Sequence, residues 1–229
     1  MIVEWCTDGS EDIRRAQDLG INRMELCGAL EVGGITPPLG VLRKARAQFD
    51  GAIFVMIRPK AGAFSVDPST LKMMLEEIQW AANEGADGVV FGALTKEYRV
   101  DQEITKQLIQ LAQDHGLKTT FHRAIDLTVD PENEASIVSR LGADFILSSG
   151  GKNKAEEGID TLLKMHNSLS NSILIAGSGV SSSNALKFKN AGLSGIHFTA
   201  RKVIESLPLN MGSEFELDDE KIQEILASI

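Results

Sequence analysis

Residues 84–91 read Glu84-Gly85-Ala86-Asp87-Gly88-Val89-Val90-Phe91. A glycine at the end of a helical segment, a short turn and an apolar run together predict a junction between an α-helix and a β-strand, because glycine readily adopts the left-handed conformation that ends helices. The junction recurs as Leu19-Gly20-Ile21-Asn22-Arg23-Met24, as Leu141-Gly142-Ala143-Asp144-Phe145-Ile146 and as Ala191-Gly192-Leu193-Ser194-Gly195-Ile196. The four junctions enter every second strand of the pattern, which indicates a repeated βα unit.

Around these junctions, short apolar runs alternate with helical segments along the chain. We predict strands at residues 2–5, 23–26, 53–57, 88–91, 118–121, 145–147, 172–175 and 195–198. We predict helices near residues 10–19, 38–48, 68–84, 101–114, 131–140, 155–169, 183–190 and 218–228. Asp67-Pro68 and Asp130-Pro131 each place an N-cap acceptor before a proline at the first helical position.

Eight alternating βα units are typical of a closed TIM (β/α)₈ barrel, an α/β fold whose interior layers alternate between odd and even strands. An open, doubly wound sheet of eight strands is the alternative. It is disfavoured because no glycine-rich fingerprint follows the first strand. No linker rich in serine and glycine interrupts the alternation, so we expect a single domain over residues 1–229.

The composition excludes several classes of protein. Of the 229 residues, 43% are hydrophobic and 24% are charged, which excludes a disordered, collagen-like or coiled-coil chain. The net charge of -9 disfavours nucleic acid and membrane surfaces as partners. Two cysteines cannot form a disulfide framework, residues 1–8 show no secretory signal, and the apolar run at residues 52–57 is too short to cross a bilayer. We therefore expect a soluble, cytoplasmic protein.

The first two strands end with the same pattern, Glu4-Trp5-Cys6 and Glu25-Leu26-Cys27. Because side chains alternate along a strand, each glutamate shares a face with the cysteine that follows it. If both pairs face inward, the two cysteines are neighbours at the barrel mouth and the two glutamates lie one layer below. Two close thiolates suit a soft ion such as Cu(I), whereas free cysteines are also common as small buried hydrophobic residues.

Further candidates follow other strands, where TIM barrels place their chemistry. They are Arg58, His122, Arg123 and Asp126. Arg58 is expected to form a buried charge network with Glu4 and Glu25, which serves either a functional site or structural neutralisation. His122, beside an arginine and near an aspartate, fits general acid–base catalysis or anion binding, and equally a hydrogen-bonded structural histidine. We interpret His197, on the last strand, as a core residue.

Glycine-rich turns follow the sixth and seventh strands. Ser149 and Gly150 follow the sixth strand, Gly177 and Gly179 follow the seventh, and Arg201 follows the eighth. Exposed backbone N–H groups in such turns can hold an oxyanion, although tight turn geometry alone also explains the glycines. We predict an anion or phosphate site here.

Seven stretches of the chain occur in an order that is specific to one family. They are Glu4-x-Cys6, Arg23-Met24-Glu25-Leu26-Cys27, Glu31-Val32-Gly33-Gly34-Ile35-Thr36-Pro37, Val55-Met56-Ile57-Arg58-Pro59, Gly85-Ala86-Asp87-Gly88-Val89-Val90-Phe91-Gly92, Thr120-Phe121-His122-Arg123-Ala124-Ile125-Asp126 and Ser148-Ser149-Gly150-Gly151. Over about residues 2–201 the chain resembles the CutC family, the copper homeostasis proteins.

The resemblance implies a TIM barrel, a cytosolic copper-handling role and a homo-oligomer. It also implies Cu(I) binding by Cys6 and Cys27, the two positions that match the family's copper-linked cysteines. Trp5 departs from the family, which usually has a smaller apolar residue there, and so does the loop at residues 151–154. Neither departure touches the matched glutamate, cysteine, arginine or histidine positions.

The charged and histidine candidates and the predicted anion site have no use in a copper carrier. They favour a second hypothesis, a TIM-barrel lyase, isomerase or hydrolase. Its substrate would be a small anionic or phosphorylated metabolite, with Glu25 or His122 as the acid–base residue. Arg58 and Arg123 would orient the substrate. The phosphate would be held by Gly177, Gly179 and Arg201. A partner-binding scaffold is a third hypothesis, which no exposed aromatic cluster in the sequence supports.

Overall fold

The computed structural model describes residues 1–9, 11–210 and 212–229. Within these ranges eight parallel strands close into a barrel in chain order. They are β1 (Ile2–Thr7), β2 (Arg23–Leu26), β3 (Ala52–Met56), β4 (Gly88–Phe91), β5 (Lys118–Phe121), β6 (Phe145–Ser148), β7 (Ile173–Gly177) and β8 (Gly195–Thr199). The TIM-barrel prediction is confirmed, and every predicted strand end lies within two residues of the observed one.

Helices cover the outside of the barrel in the described part of the chain. They are α1 (Ile13–Asp18), α2 (Leu39–Gln48), α3 (Pro68–Asn83), α4 (Gln102–Asp114), α5 (Pro131–Leu141), α6 (Ile159–Ser168), α7 (Ser182–Asn190) and α8 (Asp219–Ala227). A short 3₁₀ turn, Ala155–Gly158, precedes α6, so the helix predicted from residue 155 begins four residues later as an α-helix. None of these helices is both long and apolar enough to span a membrane.

The local signals read from the sequence have the expected geometry. Asp67 and Asp130 accept hydrogen bonds from the backbone N–H groups of Thr70 and Asn133, which caps α3 and α5. The four junction glycines all have positive φ, as the left-handed end of a helix requires. They are Gly20, Gly85, Gly142 and Gly192. The repeated helix-to-strand junction is therefore present in the structure.

Two apolar clusters separate the inside of the barrel from its outer layer. Trp5 faces outward and packs in the large cluster between strands and helices. Cys6, Phe54 and Val90 belong to a smaller cluster, which lies inside the barrel. This alternation along β1 follows from the period of two in a strand.

The register differs from the expected stacking of the two Glu-x-Cys pairs. Cys6 pairs in register with Glu25, and Glu4 pairs with His197. Neighbouring strands of a barrel are staggered, because closure imposes a shear. Glu25 is therefore level with Cys6, and Glu4 alone lies one layer below.

A two-stranded hairpin follows the barrel and was not predicted. Its strands are β9 (Arg201–Ser206) and β10 (Ser213–Leu217), which pair antiparallel. All but one of the β9 residues are exposed, so the segment lacks the buried apolar run by which the barrel strands were recognised. The chain then enters α8, which packs against α7.

Candidate metal centre and the chamber above it

Three side chains at the mouth end of β1 and β2 lie together inside the barrel. The thiols of Cys6 and Cys27 each donate to Glu25 Oε1 over 3.4 Å. Their sulfurs lie within 4.8 Å of each other. All three residues are buried, and Cys27 has no accessible surface. The predicted proximity of the two cysteines is confirmed.

Hydrogen bonding and burial separate the pKa values of this group. The pKa of Cys6 falls to about 5, chiefly through a hydrogen-bonding interaction between its sulfur and that of Cys27. The same bond, together with burial, raises the pKa of Cys27 well above its usual value. Burial, with the charge of Cys6 added, also raises the pKa of Glu25 well above its usual value. These shifts make Cys6 the more acidic of the two thiols.

A buried ion pair fills the barrel directly below. Arg23 Nε donates to Glu4 Oε2 over 2.6 Å, and both side chains are buried. The guanidinium lies between two rings, 3.6 Å from the centroid of Phe54 and 4.0 Å from that of Phe145. His197 Nδ1 lies 2.9 Å from Glu4 Oε1. Glu4 is thus held from both sides.

The charges of this lower layer stabilise one another. Burial alone would raise the pKa of Glu4, but the hydrogen bond from His197 and the charge of Arg23 hold it below its usual value. Burial alone would lower the pKa of His197, but Glu25, Cys6 and Glu4 together raise it well above its usual value. The layer therefore holds Glu4 between the Arg23 guanidinium and the His197 ring, and the neighbouring acidic groups favour the protonated form of that ring.

The donor atoms of the thiol group fit a soft metal ion. Two sulfurs and one carboxyl meet there, and Glu25 Oε2 is buried without a hydrogen-bond partner. Thiolates select soft ions such as Cu(I). A second set of donor atoms within 4.8 Å comes from Glu4, Glu25 and His197. Both oxygens of Glu4 are already partnered there, and the nearby Arg23 cation opposes a second positive charge.

A chamber of about 540 Å³ opens above the thiol group. Cys6, Glu25 and His197 line it, whereas Cys27 does not. Leu30 and Val32, from the loop after β2, contribute to its wall. The volume suits a small organic molecule.

His122 lines this chamber and is nearly inaccessible. Its Nδ1 accepts a hydrogen bond from the backbone N–H of Ala124, while its Nε2 has no partner. Burial, with the nearby Arg58 charge, lowers the pKa of His122 to about 3. The ring is therefore neutral, with Nδ1 as acceptor and a free donor at Nε2.

Arg58 also lines the chamber, but it does not form the predicted network with Glu4 and Glu25. Its guanidinium donates to the backbone carbonyls of Val32 and Gly34, and to that of Gly62. The predicted place of Arg58 in the buried network is taken by Arg23. Arg58 instead ties two loops of the mouth together and keeps an unneutralised charge at the chamber wall.

Asp126 serves the loop after β6 rather than His122. Its oxygens accept from Arg123 Nε, from the Ser148 hydroxyl, and from both the N–H and the hydroxyl of Ser149. The N–H of Gly150 donates to the Ser148 hydroxyl. The predicted anion donors Ser149 and Gly150 are therefore already used inside the protein.

Only part of the predicted anion site faces the chamber. In the described chain, Gly179 and Arg201 line it, but Gly177 packs inside the barrel, where a Cβ would lie 2.6 Å from Leu147. Arg201 is paired with two carboxylates, over 3.3 Å and 3.2 Å. Lys221, from α8, lines the chamber as well, and burial lowers its pKa.

Comparisons with known proteins agree with this geometry. A model of the CutC family matches residues 1–202. The chain belongs to the CutC family. A CutC protein of Pasteurella multocida is 38% identical over an alignment of 229 positions, which spans 97% of this chain and 93% of that protein. A CutC protein of Bacteroides fragilis is 39% identical over 208 residues, 90% of this chain and 82% of that protein.

A solved CutC structure supports the fold. The protein from Streptococcus agalactiae, described as a copper homeostasis protein, superposes with a TM-score of 0.79. It is 30% identical in sequence, and the match covers 86% of this chain and 97% of that one. The copper homeostasis family and the TIM-barrel fold are therefore both shown for this chain.

Three residues of this CutC chain belong to the site but were missed or misread in the sequence. Arg23 completes the lower layer, His197 joins Glu4 to the chamber floor, and Lys221 enters from α8. Because side chains alternate along a strand, Arg23 and Glu25 lie on the same face of β2. The sequence could therefore have indicated Arg23 as a residue of the site. Lys221 lies 20 positions beyond the last predicted candidate, Arg201, and no local pattern links it to the barrel mouth.

Proposed function

We propose that this CutC-family protein binds Cu(I) as its cargo between Cys6 and Cys27. The observation that carries the proposal is the pair of sulfurs within 4.8 Å of each other. Metal–thiolate bonds of about 2.3 Å place two sulfurs on one ion at most about 4.6 Å apart. The description of the Streptococcus agalactiae relative as a copper homeostasis protein supports the same conclusion.

The donor set favours Cu(I) over Zn²⁺. A structural zinc site is almost always four-coordinate, and the group described here supplies two sulfurs and one carboxyl. Cu(I) accepts fewer ligands and prefers sulfur. Glu25 accepts from both thiols and would then hold the empty pair in place rather than act as the main ligand.

The test is an anaerobic competition for Cu(I) against a chelator of known affinity. Cys6→Ser and Cys27→Ser should each weaken binding by more than about 100-fold, the upper end of what loss of an outer-shell partner costs. Met56→Leu is the matched control, because it removes a neighbouring sulfur of the same cluster and leaves both thiols. Binding that both serine variants retain would refute the proposal.

His197 carries a second candidate function, that of an enzyme acting on a small anionic metabolite. Glu4 holds the His197 ring over 2.9 Å, and Cys6 and His197 both line the chamber. A cysteine, a histidine and an orienting carboxylate are the parts of an activated nucleophile. In this function Cys6 attacks the substrate, and His197 replaces Glu25 and His122 as the acid–base residue.

Alkylation of the free thiols by iodoacetamide distinguishes this function. If His197 activates Cys6, His197→Asn should slow alkylation of Cys6 by at least about tenfold near neutral pH. His122→Asn is the control, since it changes a chamber histidine for which the structure shows no contact with a thiol. Equal rates in the wild type and in His197→Asn would exclude the activated nucleophile.

A further inference from the structure

The chamber is much larger than a copper ion requires. Its volume of about 540 Å³ suits a molecule of many atoms, and it reaches Cys6 at its floor. Cys27 lies behind Cys6, without accessible surface and beneath Gly34, where a Cβ would stand 3.0 Å from the Cys27 sulfur. A ligand that enters through the mouth therefore meets one thiol before the other.

The chamber also carries positive charge in a protein whose net charge is -9. Four cationic side chains line it: Arg58, Arg123, Arg201 and Lys221. Arg58 donates to backbone carbonyls and lies 4.8 Å from the centroid of the Phe64 ring. Lys221 is attracted by Asp218 but forms none of the ion pairs found in the described chain. Asp126, which lines the chamber as Glu25 does, is already bound by Arg123 and the loop after β6. A bare cation gains nothing from such a wall, whereas an organic anion does.

We propose that the chamber admits Cu(I) as the complex of a small thiol that carries carboxylates, and that Cys6 takes the ion before Cys27. This inference rests on the proposed copper function. The carboxylates would lie against the cationic wall and the copper-bound sulfur against Cys6. His122 Nε2, buried and without a partner at the same chamber, is a donor for the bound molecule.

The transfer is a ligand exchange without redox change. In the first step Cys6 forms a bond to Cu(I) and gives its proton to one carrier thiolate, which leaves as a thiol. In the second step Cys27 binds the ion and releases its proton to the second carrier thiolate, which leaves as a thiol. Copper remains Cu(I) throughout, and the ion ends between the two cysteines.

Stopped-flow transfer under anaerobic conditions tests the role of charge. The Cu(I) donors are the glutathione complex, which carries carboxylates, and the 2-mercaptoethanol complex, which carries none. Lys221→Gln should lower the ratio of the two transfer rates by about 3- to 10-fold at low salt, and by less at high salt. Lys96→Gln is the matched control, because Lys96 is exposed and does not line the chamber.

The order of the two thiols gives a second, independent readout. Cys27→Ser should still take copper from the glutathione complex, but with about one glutathione retained per copper ion. In the wild type, the transfer of copper to Cys6 should appear as a fast kinetic phase, and Cys6→Ser should lose that phase. An unchanged rate ratio in Lys221→Gln, or a fast phase that survives in Cys6→Ser, would overturn the inference while the measured Cu(I) affinity still stood. Absence of Cu(I) affinity in the chelator competition would overturn both proposals.

Discussion

The ion pair below the thiol group allows a quantitative test of how this barrel tolerates buried charge. The perturbation is Arg23→Met, which keeps a long apolar side chain between Phe54 and Phe145 and removes the guanidinium. Arg23 and Glu4 are separated by 2.6 Å, and their side chains are 9% and 0% exposed. The substitution leaves the Glu4 carboxylate buried, with His197 as its remaining partner.

The structure sets the size of the expected effect. Removing one partner of a buried pair costs about 3–5 kcal/mol, because the other charge stays buried and uncompensated. Two cation–π contacts are lost as well, and contacts of the methionine sulfur with the same rings replace part of them. Because protonated His197 still neutralises Glu4, we expect the lower end of the range, about 3 kcal/mol.

A double-mutant cycle separates the pair from its surroundings. Glu4→Gln keeps an acceptor for His197 and should also cost about 3 kcal/mol. Since either substitution alone already abolishes the pair, the double variant should lose about 3 kcal/mol rather than about 6. The free energy of unfolding is measured by urea titration with tryptophan fluorescence.

The matched control is Arg15→Met. Arg15 Nε lies 2.7 Å from Asp219 Oδ2, nearly the distance of the buried pair, but the two side chains are 48% and 39% exposed. Solvent screens such a pair, so its loss should change stability far less. If Arg23→Met proves no more harmful than Arg15→Met, or if the two buried substitutions simply add, the argument from burial is wrong.

Three further predictions use the same urea titration. Gly158→Ala should lower the free energy of unfolding by about 2–3 kcal/mol, because its Cβ would overlap the Ser149 carbonyl oxygen. Gly40→Ala is the control: its Cβ would lie in open space, and it should raise the free energy of unfolding by up to about 1 kcal/mol. Asp126→Asn should lower the free energy of unfolding by about 2 kcal/mol, since the oxygens of Asp126 accept several hydrogen bonds, including one from Arg123. An unchanged free energy of unfolding would show that these bonds do not order the loop after β6. Folding lowers the pKa of His122 to about 3, so its contribution is complete above the unfolded value of about 6.5 and is lost as the pH falls below it. Between pH 7.5 and 5.5 the wild type should lose about 1.4 kcal/mol more than His122→Asn, and equal losses would show that folding does not lower the pKa of His122.

The features that depend on periodicity could be predicted from the sequence. Alternation of strands and helices indicates the barrel, since each βα unit repeats the same junction. The period of two, together with the closure of the sheet, brings Cys6 beside Cys27. The neighbouring layer was placed wrongly, because strand shear raises Glu25 to the level of Cys6. Shear is a property of the closed sheet and leaves no mark on a single strand.

The features that depend on loops could not be predicted. Arg58 follows a strand like a site residue, yet its direction is set by the carbonyls of Val32, Gly34 and Gly62, which no local pattern reveals. The glycine-rich turn after β6 resembles an anion site, but Asp126 uses its N–H groups. In both cases a distant segment supplies the partner that decides the role of the residue.

The layer below the thiols also bears on the side from which the proposed copper site would be reached. Arg23 lies between Phe54 and Phe145, and together with Glu4 it fills the barrel beneath Glu25. Packed interiors of this kind leave no channel for an ion or its carrier. In the described part of the chain, access is therefore from the mouth, through a wall to which Arg58 and Lys221 contribute positive charge. In the floor, Arg23 and Glu4 neutralise each other. In the wall, Arg123 and Arg201 are paired with carboxylates, so Arg58 and Lys221 are the cations that would favour the approach of an anion to Cys6.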